Sequence, residues 1–128
     1  MSFTKKPQTL VLASLGSDVT FRWDFTYGNV GVLNNSTTVI WGKESYGYIV
    51  NKYITVTSPG NWKANKDQVS SSITSRLHWN GNFNQNGSVQ MFTLRNVIKS
   101  DQMKYACKVH MDHTEKLSAS VELLVRGK

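Results

Sequence analysis

Few residues of this 128-residue chain are of a type that does chemistry. Cys107 is the only cysteine. It lies in Ser100–His110, "SDQMKYACKVH", alternating with Tyr105 and Val109. A reactive thiolate needs partial exposure and a nearby cation or base to lower its pKa. A cysteine on the apolar face of a strand has neither, so Cys107 reads as an inert core residue. His110 and His113 bracket Met111 and Asp112. Two imidazoles and one carboxylate approach a metal set, but zinc needs three or four ligands of fitting geometry and no further ligand stands beside them. They read as solvent-exposed histidines on a strand entering a turn. The chain has no glycine loop to cradle phosphate, no Gly-x-Ser-x-Gly elbow and no paired acids. The expectation is a protein with no catalytic residues, no metal and no cofactor.

A lone cysteine makes no internal disulfide, which by itself suggests a reducing compartment. Three triplets oppose that reading. Asn34-Asn35-Ser36, Asn35-Ser36-Thr37 and Asn86-Gly87-Ser88 fit the glycosylation acceptor pattern in polar stretches, which makes Asn34, Asn35 and Asn86 candidate glycan sites of an extracellular chain. Fifteen Lys and Arg against eight Asp and Glu give a net charge of +7, which in principle draws polyanions. The cations are dispersed, however, as at Lys5-Lys6, Lys43, Lys52, Lys63, Lys66, Lys99, Lys104, Lys108 and Lys116. They never form the dense run of a dedicated site, so no nucleic-acid partner is expected. No apolar run approaches the roughly 20 residues that cross a bilayer, and Met1-Ser-Phe-Thr-Lys-Lys opens no signal core. Any membrane anchor is expected outside this chain.

The elements that must position these residues are strands. Val19, Phe21, Trp23 and Phe25 alternate with Thr20, Arg22 and Asp24, the period of a half-buried strand. Similar alternation runs through Leu10 and Leu12, Val39 and Trp41, Ile49 to Val56, Val89 to Leu94, Tyr105 to Val109 and Leu117 to Val125. Turn signals separate them at Leu15–Asp18, Tyr27–Asn29, Asn34–Ser36, Ser58–Asn61 and Asn80–Gly87. One short helical turn is expected near Val97–Gln102. The polar stretch Trp62–Thr74 reads as a loop or a weak edge strand. The expectation is one all-β antiparallel domain over residues 1–128, with its core at about 10–125.

The spacing Leu94, Val97, Asp101, Tyr105, Cys107 resembles the E strand, E–F turn and F strand of immunoglobulin domains. Upstream, "GSDVTFRW" resembles the B strand, "VIWGK" the C strand with Trp41 as core tryptophan, and Arg76 the D-strand arginine that pairs with the E–F aspartate, here Asp101. The 76 − 41 = 35 positions from Trp41 to Arg76 leave room for C′ and C″ strands, with Tyr48–Val56 as C′. The resemblance is to a variable-type (V-set-like) immunoglobulin β-sandwich. It implies that Tyr105 makes the corner hydrogen bond to upstream backbone and that Trp23, Trp41, Leu94, Tyr105 and Cys107 lie in the core.

The departures are informative. Trp23 stands where the B-strand cysteine belongs, so the inter-sheet disulfide is lacking, and with it about 2–4 kcal/mol of stabilisation. A buried indole removes about 150–250 Å² from water, worth at most roughly 4–6 kcal/mol, which is comparable. The last strand, "HTEKLSASVELLV", lacks the Phe-Gly-x-Gly bulge of antibody variable domains. With the tryptophan in B and a long B–C connection, the chain looks most like the outermost domain of hydrozoan (Hydractinia) allorecognition receptors. That resemblance implies the ectodomain of a single-pass membrane protein on the extracellular side of the plasma membrane, its partner the same protein on an opposing cell. It also implies that Met1 stands where a leader has been removed and that Val125-Arg126-Gly127-Lys128 runs on into a further domain.

For recognition, the C–C′ region "GKESYGYIVNKY" supplies Tyr46, Tyr48 and Tyr53, residues of the type that anchors interfaces. Lys104 and Lys108 of the F strand, with Ala106, share the parity of the same sheet face. These are the candidate interface residues; the alternative is that the tyrosines only cover the sheet. Two other functions fit the sequence: a heterophilic receptor for a protein or glycan, and an intracellular structural domain in which a missing disulfide is ordinary.

Overall fold

In the computed structural model, residues 1–28 and 36–127 are described. Among them, ten strands form two sheets. The first, in the order β1-β3-β8-β7, comprises β1 (Ser2–Lys5), β3 (Val19–Thr26), β8 (Gly87–Leu94) and β7 (Leu77–Phe83). The second has the order β2-β10-β9-β4-β5-β6. It contains β2 (Leu10–Ser14), β10 (Thr114–Arg126), β9 (Met103–Met111), β4 (Thr37–Ser45), β5 (Tyr48–Thr57) and β6 (Asn61–Ala64). Every pairing is antiparallel except β2 with β10.

Alternation explains the strands. Val19, Phe21, Trp23 and Phe25 are buried while Thr20 and Arg22 face out, and β9 buries Tyr105, Cys107, Val109 and Met111 on its inner side. Two expectations are refined. The chain enters the fold before residue 10, because β1 pairs with β3 and its Phe3 packs on the core. The stretch 62–74 holds most of edge strand β6 and the one-turn helix α1 (Ser71–Thr74).

The core is aromatic. The Trp41 ring lies parallel to Phe92 and Tyr105, at 5.4 and 5.1 Å between centroids, and so links the two sheets. Trp23 is fully buried, with its ring 6.0 Å from Phe92 and 6.3 Å from Phe21. Cys107 is buried and free. Neither the Trp23 nor the Trp41 indole N–H has a hydrogen-bond partner among the described residues, a cost of about 1–3 kcal/mol each that the packing must exceed. Trp79, whose orientation the sequence leaves open, packs inward, its Nε1 donating to Gln90 Oε1 at 2.8 Å.

One end of the sandwich is fastened around Asp101. A 3-10 turn at Lys99–Asp101 presents its carboxylate to Arg76, with Nη1 at 2.8 Å from Oδ2 and Nη2 at 2.9 Å from Oδ1. Oδ2 also accepts the Ile98 N–H at 2.8 Å. Tyr105 donates its hydroxyl to the Asp101 carbonyl at 2.7 Å. With Asp101 2% and Arg76 15% exposed, this pair ties the start of β7 to the turn before β9.

Candidate recognition surface

The outer face of the six-stranded sheet follows from register. On β9, Lys104, Ala106, Lys108 and His110 point away from the core, opposite Glu122, Ser120, Ser118 and Glu115 of β10. On the other side of β9, Ala106, Lys108 and His110 face Gly42, Ile40 and Thr38 of β4. Gly42 must be glycine: a Cβ there would run into the Asn51 carbonyl of β5, at a register shift between Trp41 and Gly42. That irregularity aims the β4–β5 hairpin.

At the hairpin tip, Ser45 pairs with Tyr48 across a two-residue turn of Tyr46 and Gly47, whose φ values are +52° and +84°. Turns with positive φ at both central residues match strand twist and favour Asn-Gly. Tyrosine there carries left-handed strain of about 1–2 kcal/mol, yet Tyr46 is 97% exposed, so its ring gains almost no packing among the described residues to offset it. Tyr48 is 72% and Val50 49% exposed beside it. Lys108 is held between them and β10: its Nζ lies 2.9 Å from Glu115 Oε1 and 6.0 Å from the Tyr48 ring centroid. Lys104 is exposed. Ser120 donates its hydroxyl to Glu44 Oε1 at 2.9 Å, across the top of Ala106, which is fully covered.

Tyr53 does not belong to this face. It is 3% exposed, its ring perpendicular to Trp41 at 5.5 Å and tilted 77° to Tyr105 at 5.7 Å, with its hydroxyl directed to Met103 Sδ. Burial and the nearby Asp101 carboxylate raise its pKa. Tyr53 and Tyr48 lie an odd number of positions apart and so point to opposite sides of a strand. Counted from Tyr48 that parity was the available signal, but counted from buried Ile54 and Val56 it points the other way, because a register shift lies between Tyr48 and Ile54. Conversely, Val50, Lys52 and Ile40 on this surface carry no motif, and only the sheet pairing reveals them.

Cys107 lies wholly inside, where burial pushes its thiol far above the ordinary range. Burial likewise raises Tyr105. Among the described residues no group of three His, Cys, Asp or Glu is placed to hold a metal ion. His113 is exposed, but His110 is partly buried and its Nδ1 has no hydrogen-bond partner among the described residues, unlike the solvated histidine expected. Asn34 and Asn35 lie outside the described residues. Asn86 is exposed in the β7–β8 turn, while Ser88 is buried, its hydroxyl donating to the Asn82 carbonyl and accepting from Gln90 Nε2, both at 2.6 Å. No helix among the described residues is long and apolar enough to cross a membrane.

No family model and no curated protein sequence matches the chain. Solved structures do. The chain is similar to the natural-killer-cell receptor NKp44, described as a triggering partner in natural cytotoxicity, at 17% identity and a TM-score of 0.65 over 94% of this chain and 99% of that one. It is similar to a structure from work on multimeric cell-adhesive interactions of VGSC beta subunits, at 15% identity and a TM-score of 0.64 over 94% and 91%. A third is the ZIG-8 IG1 homodimer, at 16% identity and a TM-score of 0.58 over 98% and 85%. In all, 1086 solved chains match, and a fold so widely shared does not by itself assign a function. At these identities the likeness shows architecture: the chain is an immunoglobulin-like β-sandwich without an inter-sheet disulfide.

Proposed function

We propose that this chain is an extracellular, V-set-like recognition and adhesion domain that docks another protein through the outer face of its six-stranded sheet. The docked protein is a second copy on an opposing cell, in self/non-self discrimination. The observation that carries the reading is Tyr46: a large aromatic held in a strained backbone conformation and left 97% exposed at the hairpin tip. Strain without internal compensation is characteristic of functional positions, and tyrosine is a preferred interface anchor. Tyr48 and Val50 extend the apolar contact, and Lys104, Lys108 and Glu122 form a charged surround of the kind that sets specificity. The resemblance to hydrozoan allorecognition domains supports the homophilic form. So do the printed descriptions of two structural neighbours, one a homodimer and one cell-adhesive. The domain carries out no reaction in this reading. Its place is the outside of the plasma membrane, with anchorage supplied from beyond this chain and Asn86 available for a glycan.

A second reading is favoured by the +7 charge. Two like-charged copies repel, whereas an acidic heterophilic partner is attracted. Display of the domain on beads separates the two. Homophilic docking predicts that beads carrying it cluster with each other; dispersed beads that capture acidic partner proteins favour the second reading.

A further inference from the structure

Two cavities of about 210 and about 270 Å³ open side by side on the same outer face. They share Ile40, Lys52 and His110 and so form the two ends of one trough across β4, β5 and β9. Tyr48 and the Lys108–Glu115 pair close one end; Thr38 and His113 line the other. The charge of this trough is unbalanced. Among the described residues that line it, the only carboxylate, Glu115, is already 2.9 Å from Lys108. The other end brings together Lys52, His110 and His113 with no acid, and the Lys52 ammonium makes no ion pair among the described residues. The His110 Nδ1 is buried without a hydrogen-bond partner among the described residues. In a neutral imidazole an unpaired acceptor is tolerated better than an unpaired N–H, and in a protonated one both nitrogens donate, so Nε2 is a donor in either form.

Each end by itself is smaller than the about 300–1,000 Å³ of a usual small-molecule pocket, while the two together reach that range, so charge and not size selects the occupant. Ile40, between the two ends, offers an apolar floor to a short methylene stem. We propose that this trough receives a glutamate or aspartate side chain of the docked protein, its carboxylate meeting Lys52 and His110 and its stem lying over Ile40. The proposal rests on the outer face being the docking surface, and charge-assisted hydrogen bonds of this kind fix register as well as affinity.

The test is a titration of the isotopically labelled chain at low salt, followed by NMR. The probe is the blocked peptide Ac-Gly-Glu-Gly-amide, with its glutamine counterpart and N-acetylneuraminic acid as parallel arms. The glutamate peptide is expected to shift Thr38, Lys52 and His110 amides and the His110 and His113 ring signals. The glutamine peptide is expected to leave them, and Lys52→Met to weaken the response at least about tenfold. The Lys52 N–H bonded to Gln68 Oε1 is backbone, so that variant retains it. Equal shifts with glutamine, shifts spread over Lys63 and Lys66, or no shifts in the trough overturn the proposal. A stronger response to N-acetylneuraminic acid overturns it in favour of a glycan. Peptide binding by a domain that does not cluster on beads removes self-docking and keeps the trough. Clustering that survives Lys52→Met, with no peptide response, removes the trough and keeps the docking face.

Discussion

Replacing Trp23 tests whether an aromatic has taken over the role of a disulfide. The side chain is fully buried, with its ring near Phe21 and Phe92 in the middle of the core. Truncating a buried tryptophan to alanine costs about 3–5 kcal/mol in lost burial and residual cavity. That is much of the roughly 5–15 kcal/mol by which a domain is stable. One term works against the loss: the indole N–H has no partner among the described residues, so removing it returns part of an unsatisfied cost of about 1–3 kcal/mol. Trp23→Phe keeps most of the apolar ring and sheds the N–H, and should lose under about 2 kcal/mol. Cys107→Ala removes one sulfur and should cost about 1 kcal/mol. At roughly 4 °C per kcal/mol for a chain of this length, alanine at 23 lowers the midpoint by about 12–20 °C less the share that the freed N–H returns, and alanine at 107 by about 4 °C. Urea unfolding with a common m-value, read beside thermal melts, measures all three. Midpoints within a few degrees of each other for Trp23→Ala and Cys107→Ala would refute the reasoning.

Further expectations follow from the same contacts. Arg76→Met strands a carboxylate that is 2% exposed and should cost about 3 kcal/mol, and the double change with Asp101→Leu should lose less than the sum of the singles in urea titrations. Cys107 and Tyr105 have folded pKa values raised above the unfolded 9.0 and 10.0. Their contribution is therefore complete below pH 9 and declines as pH rises, by about 1.4 kcal/mol per pH unit per group. In Cys107→Ala, pH-dependent urea midpoints should show that decline beginning near 10 instead of 9. Gly42→Ala forces a Cβ against the Asn51 carbonyl, so it should depress the melting midpoint and shift NMR signals on both arms of the β4–β5 hairpin.

Much of the fold was legible because antiparallel strands with one buried face alternate, as β3 and β9 do. The Asp101–Tyr105–Arg76 arrangement was legible through the resemblance to immunoglobulin domains, whose D-strand arginine, E–F aspartate and corner tyrosine these three residues match. What failed did so for local reasons. In β5, Tyr53 and Ile54 are consecutive and both buried near a register shift, which breaks the alternation the eye relies on. Strand β1 is four residues long and mostly polar, and only pairing with β3 makes it a strand. The trough joins Ile40, Lys52 and His110 from three strands, a grouping set by sheet order, to which linear spacing is blind.

The docking face itself is tested most directly at Tyr46, where stability and recognition are set in opposition. Asparagine accepts positive φ more readily than tyrosine, and the 97% exposed ring contributes no packing. Tyr46→Asn should therefore melt no lower than the unaltered domain while bead clustering is lost. Clustering at the unaltered level by a fully folded Tyr46→Asn domain would contradict the account.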